Sequence, residues 1–173
     1  MKYRAWDSEK QRMYEVGKEP NIHFEFTENG IRGIDMLRSD GKGGFKVLDH
    51  LIYMQDSGMK DNQEVPNAIV ANDIVKKYVH SYSNYYAEGP GGIGLGGQET
   101  HFEGYHYGIV KYRPSRGFFL QVFMTEDEFD GSFKPYKTDG DITQYRSEVI
   151  GNIFENPELL EIPKEEVSLE GVS

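Results

Sequence analysis

The amino-acid sequence predicts a mainly β fold, arranged as a small barrel or open roll. The chain of 173 residues contains 12 Tyr, 10 Phe and 20 Gly, and aromatic residues favour strands whereas glycines favour turns. Short apolar stretches recur between polar turn residues, without the long helical patterns that an alternating α/β fold needs. A single domain of this length can bury a proper core.

The first third of the chain is predicted to consist of short strands. The predicted strands are residues 3–7, 12–16, 22–27, 31–37 and 45–54. Ser8-Glu9-Lys10-Gln11 separates the first two, and a polar loop of this length is typical of a hairpin. We expect Tyr3, Ala5 and Met13 to face a core, with Tyr14 as a further candidate, and Trp6 to cover the other side of this pair. Asn29-Gly30 marks a turn after the third strand.

The middle of the chain contains the best-defined hairpin and the least regular stretch. The hairpin joins residues 107–112 to 118–124, and Arg113-Pro-Ser-Arg-Gly117 supplies a proline and a glycine for its turn. A strand is also predicted over residues 71–79. Residues 55–72 are expected to be rich in turns, 80–106 to be irregular, and 125–140 to form an acidic loop.

The segment Glu148–Leu160 reads as a strand that leads directly into a short helix. A β-branched run ending in an aromatic residue favours the strand. Asn156 stands where an N-cap belongs, Pro157 takes the first helical position, and Glu158 suits the positive helix end. Pro163 is expected to end the helix.

Three segments, taken in chain order, resemble the YopX-like family of bacteriophage and prophage proteins. They are the opening segment 2–16, with Lys2-Tyr-Arg-Ala-Trp-Asp7, the central segment 54–75, with Gly58-Met-Lys-Asp61 and Asn72-Asp-Ile-Val75, and the closing segment 147–161. The resemblance implies a mostly β fold with an SH3-like barrel. It implies no enzymatic activity, cofactor or catalytic residue that could be assigned to positions of this chain.

The resemblance also has departures. Asp56, Ser57 and Asn72 stand where the family usually has an aromatic residue, a threonine and a glycine. The stretch from about 80 to 106 has no counterpart in compact members. We therefore expect one mainly β domain over residues 1–164, with a long inserted loop at about 78–107, and a flexible tail over residues 165–173.

The charge and the missing cysteines exclude several classes of function. A formal net charge of −10 argues against nucleic acid as the main partner, because that binding depends on Lys and Arg. The chain has no cysteine, which excludes disulfide scaffolds, thiolate nucleophiles and cysteine-bound metals. The N-terminal sequence lacks a secretory signal and no apolar run reaches membrane-spanning length. We therefore expect a soluble cytoplasmic protein without a membrane partner.

Two sequence patterns resemble ligand sites. Gly92, Gly94 and Gly97 have the spacing of a dinucleotide-binding loop, but no apolar strand precedes them and no helix follows. His101, Glu103 and His106 have side chains that suit Zn²⁺ or Ni²⁺. His101 and Glu103 would share one face of a strand. No further ligand lies nearby in sequence, so we interpret the three as a polar strand surface and predict no metal or cofactor.

Aromatic residues around the glycine-rich stretch suggest a contact surface. Tyr, Ser, Gly and Asn together are typical of adaptable binding loops. The predicted partner-binding residues are Tyr82, Tyr85, Tyr86, Phe102 and Tyr105. Packing of these tyrosines over the mouth of a barrel is the alternative interpretation.

The sequence therefore favours a non-enzymatic accessory protein of a phage or prophage that binds copies of itself or an unidentified host or phage protein. A metal- or small-ligand-dependent enzyme using residues 101–106 is the second hypothesis. A nucleic-acid-associated barrel that uses its loop aromatics is the third.

Overall fold

The computed structural model describes residues 2–88 and 94–161. Its strands are β1 Tyr3–Asp7, β2 Arg12–Glu15, β3 Ile22–Thr27, β4 Gly30–Ser39, β5 Phe45–Val47, β6 Leu51–Lys60, β7 Ala68–Val70, β8 Asp73–Glu88, β9 Gly94–Arg113, β10 Gly117–Asp127, β11 Phe133–Gly140 and β12 Ser147–Asn152. The predicted mainly β class is confirmed, and the sheets curl into half-barrels.

The strands form three sheets, and all the pairings between them are antiparallel. A four-stranded sheet has the order β2-β1-β6-β7, a five-stranded sheet the order β11-β10-β9-β8-β12, and a three-stranded sheet the order β3-β4-β5. The opening hairpin is confirmed, with Ala5 opposite Tyr14. Met13 lies opposite Trp6, so the prediction that Met13 shares the face of Ala5 is wrong. The hairpin of β9 and β10 turns at Gly117, whose φ of 81° favours glycine.

Each of the two larger sheets has its own apolar cluster. Ala5, Tyr14, Leu48 and Leu51 are buried under the four-stranded sheet. A second cluster, composed of Ile69, Val75, Val110, Leu120 and Val122, lies against the five-stranded sheet. Trp6 is also buried, on the other side of β1 from Ala5 as predicted, so β1 is covered on both faces.

The opening, central and closing segments of the chain meet in the structure. Nη1 of Arg4 lies 3.4 Å from Oδ1 of Asp73, and the ring of Trp6 stacks on that of Phe154 with 5.6 Å between centroids. The amide of Val149 donates to Oδ2 of Asp61 over 3.1 Å. These contacts join parts of the chain that are far apart in sequence.

The predicted closing helix is wrong. Pro157–Leu160 forms a single 3₁₀ turn, and a second such turn at Gln144–Arg146 precedes β12; no α-helix occurs among the described residues. Pro157 does stand at the start of its turn, but the Asn156 side chain makes no cap. It accepts from the Asn152 amide at 3.3 Å instead. Four residues form too few hydrogen bonds to offset the unfavourable free energy of helix nucleation.

The stretch expected to be an irregular inserted loop is largely strand. Residues 80–88 belong to β8 and residues 94–106 to β9, and the two strands pair along their length. The glycine content of this stretch led to the loop prediction, because glycine is rare in strands. Here Tyr85 lies opposite Gly97 and Tyr86 opposite Gly96. An aromatic ring covering a cross-strand glycine makes such pairing favourable.

Two other loop predictions are also wrong. The acidic stretch 125–140 contains the end of β10 and all of β11, which pair from Glu126 opposite Phe133 onward. The stretch 55–72 contains most of β6 and all of β7, with a register shift between Asp56 and Lys60. The predicted strand over 45–54 is divided into β5 and β6. The predicted tail, residues 165–173, lies outside the described residues.

Candidate interaction site on a two-stranded arm

The candidate site is a two-stranded extension of the five-stranded sheet. β12 pairs with β8 only as far as Lys77, and β10 pairs with β9 only from Gly104 onward. Residues 80–88 and 94–103 therefore form strand pairs only with each other in the part of the chain that the structure describes, and Tyr78 and Val79 lead into them at the base. We call this ribbon the arm. A two-stranded ribbon on its own has marginal stability in water.

The β8 edge of the arm lacks the usual protection against further strand pairing. Residues 78–87 contain no Asp, Glu, Lys, Arg or Pro, although natural edge strands are normally interrupted by such residues. The 3₁₀ turn at Gln144–Arg146 contacts β8. It comes directly before β12, whose pairing with β8 begins at Lys77. From about Ser81 onward no described strand pairs with this edge.

The β9 edge of the arm is protected. It carries Glu99 and Glu103, and its register shifts opposite Ser81 and Tyr82, which leaves His101 as an unpaired extra residue. Charges and bulges of this kind discourage pairing with a further strand. The Glu103 carbonyl is also occupied, because it accepts from the Glu128 amide at 3.0 Å. The two edges of the arm are thus chemically different.

The five predicted partner-binding residues all lie on the arm or at its base, but they divide between its two faces. Side chains alternate along a strand, and directly paired residues share a face. Tyr82, Tyr86 and Tyr105 lie on one face. Tyr85 and Phe102 lie on the other. A single surface containing all five residues therefore does not exist on one arm.

On the face with Tyr105, the polar groups at the base of the arm already have partners within the chain. Lys76 Nζ lies 3.9 Å from the centroid of the Tyr105 ring and 3.1 Å from Glu126 Oε2. The Tyr78 hydroxyl donates to Glu103, and this hydrogen bond to a carboxylate raises the pKa of Tyr78 to about 12. Farther out, Tyr86 is 88% exposed and free to contact a partner.

The opposite face carries an aromatic cleft of about 380 Å³. Its lining residues are Val79, Ser81, Phe102, His106, Thr125 and Tyr136. The His106 ring lies 5.8 Å from the Phe102 ring and 5.1 Å from the Tyr136 ring, measured between centroids. Burial, and to a lesser extent the positive charge of Lys77, lowers the pKa of His106 below 6.5. The imidazole is therefore neutral at pH 7.

The three residues that the sequence offered as an alternative metal cluster do not meet. His101 Nε2 lies 2.8 Å from Ser83 Oγ, Glu103 accepts from Tyr78 on the other face, and His106 lies in the aromatic cleft. The predicted sharing of a face by His101 and Glu103 fails because the extra residue at His101 interrupts the alternation. Among residues 2–88 and 94–161, no group of His, Cys, Asp and Glu is arranged to hold a metal ion.

The glycine pattern does not form a phosphate loop where the structure describes it. Gly92 lies outside the described residues, while Gly94 and Gly97 belong to β9. A Cβ built on Gly97 would lie 2.5 Å from Cζ of Tyr85, so this glycine provides room for a ring. The residues after it continue as strand, so no helix N-terminus follows to bind a phosphate.

Sequence reasoning missed two kinds of residue. Tyr136 of β11 lines the aromatic cleft. The charged residues around it led to the prediction of a loop there. Asp7 and Asp73 are fully buried carboxylates. Asp7 accepts from the Tyr14 hydroxyl at 2.9 Å and lies 3.0 Å from His50 Nε2. Asp73 accepts from the Val70 amide at 2.7 Å, so both acids serve the fold.

Comparison with known proteins supports the resemblance seen in the sequence. A scan against protein-family models matches residues 2–161 to the family described as YopX protein. The matched range contains all three segments that carried the resemblance, together with the arm. No curated protein and no solved structure matches the chain. Within the described residues, no helix is long and apolar enough to cross a membrane.

Proposed function

The chain belongs to the YopX protein family, and from this premise we propose that it is a non-enzymatic interaction module that pairs with identical copies of itself. The observation that carries the proposal is the unprotected β8 edge of the arm. An exposed edge without charges or prolines is a template for another strand. We infer that the strand it accepts is the same edge of a second copy.

A second copy fits this edge better than an unrelated strand for a geometric reason. Two β8 edges that run antiparallel are related by a two-fold axis, so both copies present the same surface and the contact closes as a dimer. The free stretch begins at about Ser81, beyond the 3₁₀ turn, and extends to Glu88. An axis near Ser83 or Asn84 keeps the paired residues within this stretch in both copies.

The charge distribution also favours pairing through β8. The chain has a net charge of −10, so most surfaces of two copies repel each other weakly. The stretch 78–87 carries no formal charge at pH 7 with its histidine neutral. Contact there brings no like charges directly opposite one another, whereas contact through the β9 edge would bring Glu99 and Glu103 together.

The biological setting and the finer fold belong to the same proposal. We propose that the protein is a phage or prophage accessory protein that acts in the host cytoplasm and can present the assembled arms to a host or phage protein. The curled antiparallel sheets, made of mostly short strands, support an SH3-like barrel arrangement. Family membership supports the phage or prophage origin and the SH3-like barrel, because the resemblance implied both.

Cysteine scanning tests the dimer directly, because the natural chain has no cysteine. Ser83→Cys and Asn84→Cys place one thiol per copy near the proposed axis, and Ser39→Cys at the exposed end of β4 serves as the control. Under mild oxidation, the arm variants should form covalent dimers at micromolar concentration and the control should not. A disulfide needs Cβ atoms about 4 Å apart, so cross-linking reports the register.

A matched pair of charge variants provides the second test. Asn84 and Gln98 are directly opposite each other on the arm, on the same face and both exposed. Asn84→Lys adds a charge to the β8 edge, whereas Gln98→Lys adds the same charge to the β9 edge. Sedimentation should show a dimer for wild type and Gln98→Lys and a weakened dimer for Asn84→Lys. A strictly monomeric wild type contradicts the proposal.

A further inference from the structure

We propose that the aromatic cleft on each arm receives the Tyr85 side chain of a second copy, so that each site is complete only in the dimer. This inference rests on the proposed pairing of β8 edges and adds the side chains that hold it. The cleft lies on the same face as Tyr85, and its lining begins on β8 with Val79 and Ser81.

The strand register brings the two partners together. In an antiparallel pair with its two-fold axis at Ser83, Tyr85 lies directly opposite Ser81 of the second copy. Cβ atoms of such a pair are about 5 Å apart. With the axis at Asn84 instead, Tyr85 is diagonal to Ser81, about 7 Å away, which an aromatic side chain spans. Both registers put the ring beside the cleft.

Tyr85 is the residue of β8 with the right position and mobility. Lys77, Val79, Ser81, Ser83 and Tyr85 share this face by alternation, and Tyr85 is the aromatic side chain among them. Its ring lies over Gly97, and it remains 52% exposed. Rotation about χ1 turns the ring away from Gly97 and across the edge of β8. This rotation gives up the contact with Gly97, and contacts in the cleft of the second copy replace it.

The cleft matches a phenol in shape and chemistry. Phe102 and Tyr136 supply ring faces and edges on which an incoming ring packs favourably. Ser81, Thr125 and the imidazole of His106 supply polar atoms for a hydroxyl. Because the imidazole is neutral at pH 7, one of its nitrogens can accept a hydrogen bond from the phenol.

A double-mutant cycle tests the contact. Tyr85→Ala removes the incoming ring, and Tyr136→Ala removes one wall of the cleft. Because Tyr136 is 44% exposed, we expect the second variant to fold. Each change should raise the dimer dissociation constant roughly 10- to 30-fold. The double variant should be little weaker than either single variant, because both remove the same contact. The dissociation constants come from sedimentation equilibrium at pH 7.5.

The control is Tyr112→Ala, because Tyr112 is 51% exposed and lies on β9 far from the arm. Its dimer should match that of the wild type. An unchanged dissociation constant for Tyr85→Ala, or effects of Tyr85→Ala and Tyr136→Ala that simply add, overturns the inference. If Ser83→Cys still cross-links in those cases, the pairing of β8 edges survives and only the Tyr85 contact is lost. A monomeric wild type overturns both proposals.

Discussion

Arg4 in β1 and Asp73 at the start of β8 form an ion pair across two different sheets, with Nη1 of Arg4 3.4 Å from Oδ1 of Asp73. The carboxylate is fully buried, while the guanidinium retains 30% of its exposure. Asp73 therefore has a charged partner that is still partly in water. Burial outweighs the hydrogen bond from Val70 and the charge of Arg4, and it raises the pKa of Asp73 to about 7.

This pKa predicts a pH dependence of stability. Between about pH 4 and pH 7 the folded chain keeps a proton on Asp73 that the unfolded chain has lost, because the unfolded pKa is 3.8. The Asp73 contribution to the free energy of unfolding should therefore fall as pH rises through this window. The slope is at most about 1.4 kcal/mol per pH unit.

Asp73→Asn isolates this contribution, since an amide does not titrate. Relative to wild type, the variant should gain stability steadily between pH 4 and pH 7 and stay level above that range. Urea unfolding at several pH values, followed by the fluorescence of Trp6, measures it. Asp49→Asn at an exposed position should give a profile parallel to that of the wild type. A constant difference between Asp73→Asn and wild type would show that Asp73 does not titrate in this window.

The buried pair of Asp7 and Tyr14 predicts the opposite pH dependence. Burial alone would raise the pKa of Asp7, but hydrogen bonds from the Lys10 amide and the Tyr14 hydroxyl hold it below 3.8. Tyr14→Phe removes one of these bonds, so it should cost about 1.5 kcal/mol at pH 7. The loss should shrink as pH falls through the lowered pKa of Asp7 in the folded chain, because the carboxylate then takes up a proton.

Denaturant unfolding of Tyr14→Phe at pH 7 and at steps down to about pH 2 tests this prediction. Tyr112→Phe removes an exposed hydroxyl and should change stability by less than about 0.5 kcal/mol at each pH. An equal loss for Tyr14→Phe across the whole pH range would mean that the hydroxyl does not stabilise the charged carboxylate.

The stacking of Phe154 on Trp6 predicts that the closing segment stabilises the opening one. Phe154→Ala should lower the free energy of unfolding by about 2 kcal/mol, because it removes a half-buried ring and exposes the indole face. It should also shift the emission of Trp6, the sole tryptophan, to longer wavelength. Phe129→Ala, at a fully exposed phenylalanine, is the control and should change neither quantity.

Gly104 lies where the arm joins the sheet, and a single methyl group added there should strongly lower the stability of the fold. A Cβ there would lie 2.1 Å from the Glu126 carbonyl oxygen, and backbone in the middle of a sheet cannot move aside. Gly104→Ala should cost at least about 2 kcal/mol through overpacking. At Gly140 the nearest atom to such a Cβ is 3.9 Å away, so Gly140→Ala should be nearly neutral in thermal unfolding.

Much of the fold could be predicted because its signals are local. The β1–β2 hairpin and the β9–β10 hairpin follow from alternating side chains and turn residues near each other in sequence. The arm could not be predicted in this way. The pairing of Tyr85 with Gly97 is a relation across the hairpin, and neither residue indicates it alone. The loop prediction for residues 125–140 was wrong for a similar reason, since β11 is a strand through its pairing with β10.

The candidate site was predicted in composition but not in arrangement. The sequence identified the aromatic residues of the arm, because tyrosine and phenylalanine stand out at exposed positions. It could not assign them to faces, since the extra residue at His101 shifts the alternation by one. Tyr136 comes from a distant strand, so the cleft depends on sheet order, which periodicity does not encode.

The late position of β12 in the chain has a consequence for how the protein is made. β12 is the last strand of the five-stranded sheet, yet its Val149 amide is bound to Asp61 and the following Phe154 covers Trp6. During synthesis, the opening strands therefore lack these contacts until the residues up to Phe154 have left the ribosome. Such distant pairings favour slow folding. We expect a chain cut short before β12, which lacks both contacts, to be more susceptible to proteolysis.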